Sequence, residues 1–197
     1  MNASESGSNP FATRFIKPGA IPYLFPAGES AASLVERLRL NAWQGEIVAP
    51  HGSGKSTLLA ELEGPLRDAG RNLIRVTLHN GESRLPLELD DWQAWNDATL
   101  VIVDGYEQLS WWSRAKLAWR CKQRGAGRLV TSHAPTGLPC LFRIETNPDL
   151  AERVVRQLGV SSDMISRDVI EATYLACSGN VREMLFRLYD VYEQMLR

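Results

Sequence analysis

One short stretch restricts this chain more than any other: Ala49-Pro50-His51-Gly52-Ser53-Gly54-Lys55-Ser56-Thr57. It follows an apolar run, Glu46-Ile47-Val48, and precedes a helical pattern, Leu58-Leu59-Ala60-Glu61-Leu62. A strand, a glycine loop and a helix in that order form a cradle for an oxyanion. Gly52 and Gly54 let the backbone curl until successive N–H groups point at one centre. The following helix adds the positive end of its dipole to the same spot. Lys55 is then placed to neutralise phosphate charge, Ser56 to bring a hydroxyl to Mg²⁺, and Thr57 to reach the α-phosphate side. A glycine-rich turn that merely contains Lys and Ser would not need the strand before it and the helix after it.

Composition narrows the rest. With 197 residues there is room for one domain, or one with a small appendage. Hydrophobic residues at 44% and charged residues at 23% suit a chain that buries a full core. A net charge of −1 supplies no general basic field to hold nucleic acid or an anionic membrane. Cys121, Cys140 and Cys177 match no metal spacing and read as reduced thiols of a cytoplasmic protein. No apolar run approaches bilayer length, so no membrane partner is expected. Residues 1–8 have neither the basic nor the apolar region of a signal peptide, and a disordered lead is expected there.

Periodicity divides the chain into three parts. Residues 1–20 read as an extended lead, with Phe11, Phe15, Tyr23 and Phe25 around its end forming a strap over apolar surface. Phe11 or Tyr23 is alternatively a ring for a nucleotide base. Residues 21–146 alternate strands (47–49, 73–78, 100–103, 128–131, 142–145) with helices (30–40, 55–69, 87–96, 108–123), the pattern of a parallel sheet covered on both faces. Residues 147–197 are purely helical: Asn147-Pro148-Asp149, Ser166 and Asn180-Val181-Arg182-Glu183 each open a helix, and Gly179 closes the second.

Further polar residues fall where phosphate chemistry needs them. Thr99-Leu100-Val101-Ile102-Val103-Asp104 is an apolar strand ending in a carboxylate, suited to a water on Mg²⁺ beside Ser56. Glu107, in Asp104-Gly105-Tyr106-Glu107, either positions the attacking water or caps the helix that follows. Leu129-Val130-Thr131-Ser132-His133 brings Ser132 and His133 to a strand tip, where either reaches a γ-phosphate or its water; a solvated loop histidine is the plainer alternative. Arg182 lies in the first turn of the last helix, where the dipole disfavours a cation. A γ-phosphate offsets that cost; a surface pairing with Glu183 or Asp163 is the other reading.

In order and spacing these segments resemble Walker A, Walker B, sensor 1 and sensor 2 of the AAA+ (ASCE) branch of P-loop NTPases, over about residues 21–197. The resemblance implies a three-layer αβα core with a parallel five-stranded sheet, followed by a small all-helical lid. It also implies ATP and Mg²⁺ as ligands, nucleotide contacts along Ala49, Pro50, His51, Gly52, Ser53, Gly54, Lys55, Ser56, Thr57 and Ser132, and catalytic roles for Lys55, Asp104, Glu107, His133 and Arg182. Ser56 and Asp104 would hold the metal, and a protein partner is implied. Only Ala134-Pro135-Thr136-Gly137-Leu138-Pro139-Cys140 follows the sensor-like tip, too short for the usual helix and its arginine finger. Asp104-Gly105-Tyr106-Glu107 is similar to the STAND signalling ATPases, so a reduced ATP-dependent switch is expected rather than a hexameric motor. A small-molecule kinase and a slow ATP-binding interaction module remain as alternatives. The cations between Arg114 and Arg128, interleaved with Trp111, Trp112 and Trp119, read either as a nucleic-acid patch or as a helix packing its Trp/Leu face on the sheet. The second is favoured here.

Overall fold

The computed structural model describes residues 9–86 and 89–195; the disordered lead expected at 1–8 lies outside them. Five strands form one sheet: β1 (Gln44–Val48), β2 (Asn72–Thr77), β3 (Thr99–Asp104), β4 (Gly127–Ser132) and β5 (Cys140–Arg143). Their order is β2-β3-β4-β1-β5 and every pairing is parallel. This is the expected α/β fold. β3 is buried at all its positions, as a strand covered on both faces must be, which is why its sequence is an unbroken apolar run. The helices are α1 (Thr13–Ile16), α2 (Ala31–Leu40), α3 (Lys55–Asp68), α4 (Trp111–Arg124), α5 (Pro148–Gln157), α6 (Arg167–Ala176) and α7 (Val181–Met195).

The chain divides into two compact units. One holds Phe25–Ala49 and Leu59–Ile144; the other holds Met1–Leu24, Pro50–Leu58 and Glu145–Arg197. In the sheet unit, Val76, Leu89, Trp95, Val101, Val103 and Leu117 belong to one buried cluster. The helix expected at 87–96 is replaced, over its described residues, by short 3-10 structure, including the turn at Trp92–Ala94. Its end is set by local polar bonds: the Asn96 N–H donates to Thr99 Oγ1 (3.0 Å), and the Ala98 N–H to Asn96 Oδ1 (2.9 Å). Such side-chain bonds compete with helix continuation.

α4 begins at Ser110, whose hydroxyl accepts from the Ser113 N–H (3.2 Å), and ends at Gly125. Leu117, Arg120 and Cys121 form its buried stripe, whereas Trp111, Trp112 and Trp119 are exposed. The expected tryptophan packing against the sheet is therefore overturned. A helix of this pitch buries one stripe, and Leu117 and Cys121 occupy it roughly opposite Trp112 and Trp119.

In the helical unit, Asn147 Oδ1 accepts from the Leu150 N–H (2.8 Å), and Ser166 caps α6 through the Val169 N–H. Asn180 Oδ1 takes the Glu183 N–H (3.0 Å) at the start of α7. Phe11 is only 1% exposed in the cluster with Val155, Ile165, Ile170 and Met184, and its ring meets Tyr192 edge-on at 6.1 Å. It is a core residue of the helices, which removes it as a base-stacking ring.

Candidate nucleotide-binding site

The loop after β1 folds around one carbonyl. Pro50 O accepts both the Ser53 hydroxyl (2.8 Å) and the Lys55 ammonium (2.7 Å), and Ser53 is nearly fully buried. The Leu58 N–H donates to Gly54 O (2.9 Å), so the helical ladder starts inside the motif. Ser56 and Thr57 lie half-buried in that first turn, and His51 and Pro50 are exposed. Gly52 has φ +66°, and a Cβ there would come within 1.8 Å of Asn180 Oδ1. The carbonyl of Gly52 accepts from the Arg182 N–H (3.2 Å). The turn that opens α7 thus sits directly on the loop, and any larger residue at 52 would expel it. Arg182 itself is exposed at this junction. Tyr23 lies within contact distance of Gly54, 3.7 Å from a Cβ built there, and burial pushes its phenol up to about 12.

The second group of predicted residues lies at the carboxyl ends of β3 and β4 in the sheet unit. Asp104 is buried, and its Oδ1 accepts the Thr131 hydroxyl at 2.6 Å. The same hydroxyl oxygen accepts from the Gly105 N–H (3.0 Å), so Thr131 fixes both the carboxylate and the turn after it. Arg75 stands 3.8 Å from Asp104 Oδ2 and is held by Glu63 at 2.6 Å. Gly105 has φ +88°, and a Cβ there would meet Leu78 O at 2.8 Å, so only glycine makes this turn.

That turn brings Glu107 to His133. Glu107 Oε1 lies 2.8 Å from His133 Nε2, and His133 Nδ1 lies 3.0 Å from Ala49 O. A carbonyl oxygen only accepts, so Nδ1 donates to it, and the Nε2–carboxylate contact is a hydrogen bond when a second proton lies between the two groups. The Arg114 guanidinium donates to Glu107 O (2.8 Å) and anchors the backbone. The helix cap is Ser110, so Glu107 does not serve as the cap. Its Oε2 is buried and has no hydrogen-bond partner among the described residues. A buried acceptor without a donor is costly and fits a site that receives a donor from outside the chain. Ser132 is fully buried and gives its hydroxyl to Ala134 O (2.7 Å).

Lys55, Ser56 and Arg182 therefore belong to the helical unit, and Asp104, Glu107 and His133 to the sheet unit. In the sequence Glu107 and His133 are separate signals, Arg75 has no role, and Asn180 figures only as the opening residue of the last helix. Asn180 was detectable as the helix-opening residue beside Arg182. Arg75 was not, because nothing in a strand pattern tells which carboxylate a basic side chain will meet.

An ammonium, a hydroxyl and a helix N-terminus around a glycine that tolerates no side chain fit a nucleoside triphosphate with Mg²⁺. Parallel sheet, flanking helices and this loop are together consistent with a P-loop NTPase core. Over 101 residues the chain is 40% identical to the cobalt import ATP-binding protein CbiO of Rhodobacter capsulatus. The match covers 49% of this chain and 33% of that protein, so it spans a third of the relative's length. It agrees with a P-loop NTPase core and does not single out the AAA+ or STAND form. No family model matches the chain. No described helix is long and apolar enough to cross a membrane.

Proposed function

We propose that the chain binds ATP with Mg²⁺ on the 49–57 loop, hydrolyses it, and acts as a nucleotide-dependent switch in which residues 147–197 read the phosphate state. The observation that carries this reading is the seat of the Asn180–Val181–Arg182 turn on Gly52, since a ligand that reshapes the loop must also move the start of α7. Lys55 exchanges its Pro50 carbonyl for phosphate oxygens, and Arg182 answers to the γ-phosphate. Ser56 and Asp104 would hold Mg²⁺, which would supply charge neutralisation at the phosphates. Glu107 takes a proton from the attacking water as the new P–O bond forms and the bridge to ADP breaks, and His133 holds the carboxylate in position. A cytoplasmic setting and a protein partner belong to the same reading. Cobalt import stays with the relative, because the match covers a third of it.

A small-molecule kinase has one observation in its favour. A cleft of about 480 Å³ lies beside the end of β2, lined by Thr77, Leu78, Gly81, Glu82, Ser83, Arg84 and Pro86. Phosphate-release kinetics separate the two. The switch requires acceptor-independent release that Glu107→Gln lowers by about 10²-fold or more while ATP binding persists. ADP formation that appears only with an added acceptor contradicts it.

A further inference from the structure

Two exposed apolar faces are not used by the nucleotide site. The first is on α4, where Trp111, Trp112 and Trp119 are 68%, 76% and 51% exposed. At about 100° per residue, Trp112, Ala115 and Trp119 form a ridge flanked by Lys116 and Lys122, both exposed. α4 carries five cations and no acid. Arg114 and Arg120 are committed to backbone carbonyls and Arg124 lies over the Trp92 ring at 5.4 Å, which leaves the two lysines for a partner. Three indoles this exposed present on the order of 400 Å² of aromatic surface, the size at which a patch on a monomer is usually functional. The second face is on α6 and α7, where Leu175, Phe186, Tyr189 and Met195 are exposed. Residues 163–195 carry six acids against three arginines, and Asp190 and Glu193 lie on the same side of α7 as Phe186 and Tyr189.

We infer that the tryptophan face of α4 docks on the α6–α7 face of a second copy of this chain, head to tail. Each face offers what the other lacks: exposed indoles with cations on one, exposed aliphatic and aromatic side chains with carboxylates on the other. Nucleic acid fits the α4 face less well. Few cations are available to phosphates, the half-exposed Asp90 pairs with Arg120 beside this helix, and the chain carries net charge −1. A head-to-tail contact leaves one unsatisfied face at each end, so the assembly extends or closes into a ring. The inference does not rest on the nucleotide reading and stands if ATP does not bind.

Sedimentation velocity on the full chain across a concentration series tests it. The wild-type mass should rise with concentration and fall with added salt. Trp112→Glu/Trp119→Glu and, separately, Phe186→Arg/Tyr189→Arg should each weaken self-association at least tenfold. Mixed in equal amounts, they should form a 1:1 dimer and nothing larger, because each retains the face the other has lost. Lys116→Glu/Lys122→Glu, at two exposed positions, should weaken association as well and covers the case in which a tryptophan variant misfolds. A wild type that stays monomeric at about 10⁻⁴ M overturns the inference. So does an α7-face variant that still dimerises, or an oligo-dT that binds the monomer and is lost with the tryptophans.

Discussion

At the scale of single residues, the geometry separates side chains that touch phosphate from those that position them. Lys55→Ala should remove at least a factor of ten in ATP affinity, read by a fluorescent-nucleotide titration, because no other described side chain of the loop carries an ammonium. His133→Ala should lower turnover with little change in nucleotide affinity, since its ring orders Glu107 and the Ala49 carbonyl; an equal loss of affinity would place it on the phosphate instead. Cysteine reactivity gives an independent check on the fold. Cys140 is exposed, Cys121 and Cys177 are buried, and burial pushes the Cys121 thiol up to about 11 and the Cys177 thiol upward. A thiol reagent should find one fast cysteine in the native chain and three in denaturant; three fast thiols would contradict the packing. Asp104 was readable because a carboxylate ending an apolar strand is an anomaly that needs an explanation. The Glu107–His133 pair was not, because its distance depends on how Gly105 turns and on which strand separates β1 from β3.

At the scale of elements, strands and capped helices were readable and the irregular connection was not. β3 is a short apolar run with no helical period, and Asn147, Ser166 and Asn180 each accept the backbone N–H that a cap must accept. Ser166→Ala should therefore cost about 1 kcal/mol in a urea melt, with no loss of ATP binding beyond that. The 87–96 segment misled because Leu87, Leu89, Trp92 and Trp95 are apolar at helical intervals, while Asn96 and Thr99 close the turn through side-chain bonds that periodicity does not register. α4 misled in another way. Tryptophan suggests burial, but a single helix cannot bury both its leucine stripe and its tryptophan ridge. Leu117→Ala should destabilise by about 2–5 kcal/mol, whereas Trp112→Ala should change monomer stability by less than about 0.5 kcal/mol; a large loss for Trp112 would mean that it is packed.

For the whole molecule, buried thiols and phenols set an alkaline limit, Cys121 and Tyr23 foremost. Burial raises the Cys121 thiol from 9.0 to about 11 and the Tyr23 phenol from 10.0 to about 12. Both are neutral when protonated, so their contribution is intact below pH 9 and is lost as pH rises through 11 and 12. The urea midpoint should fall across that range, and Cys121→Ala should make the fall shallower. Nucleotide acts in the stabilising direction: a ligand at a hundred times its Kd adds about 2.7 kcal/mol if only the folded chain binds it. The claim on which the function rests is that the curled loop grips a triphosphate, and titration calorimetry of the folded chain with ATP and Mg²⁺ tests it most directly. A saturable heat near one ATP per chain is predicted for the wild type, with affinity at least tenfold lower for Lys55→Ala and for Gly52→Ala that remains folded. Absence of heat in the wild type, or an unchanged isotherm in Lys55→Ala, would contradict the account.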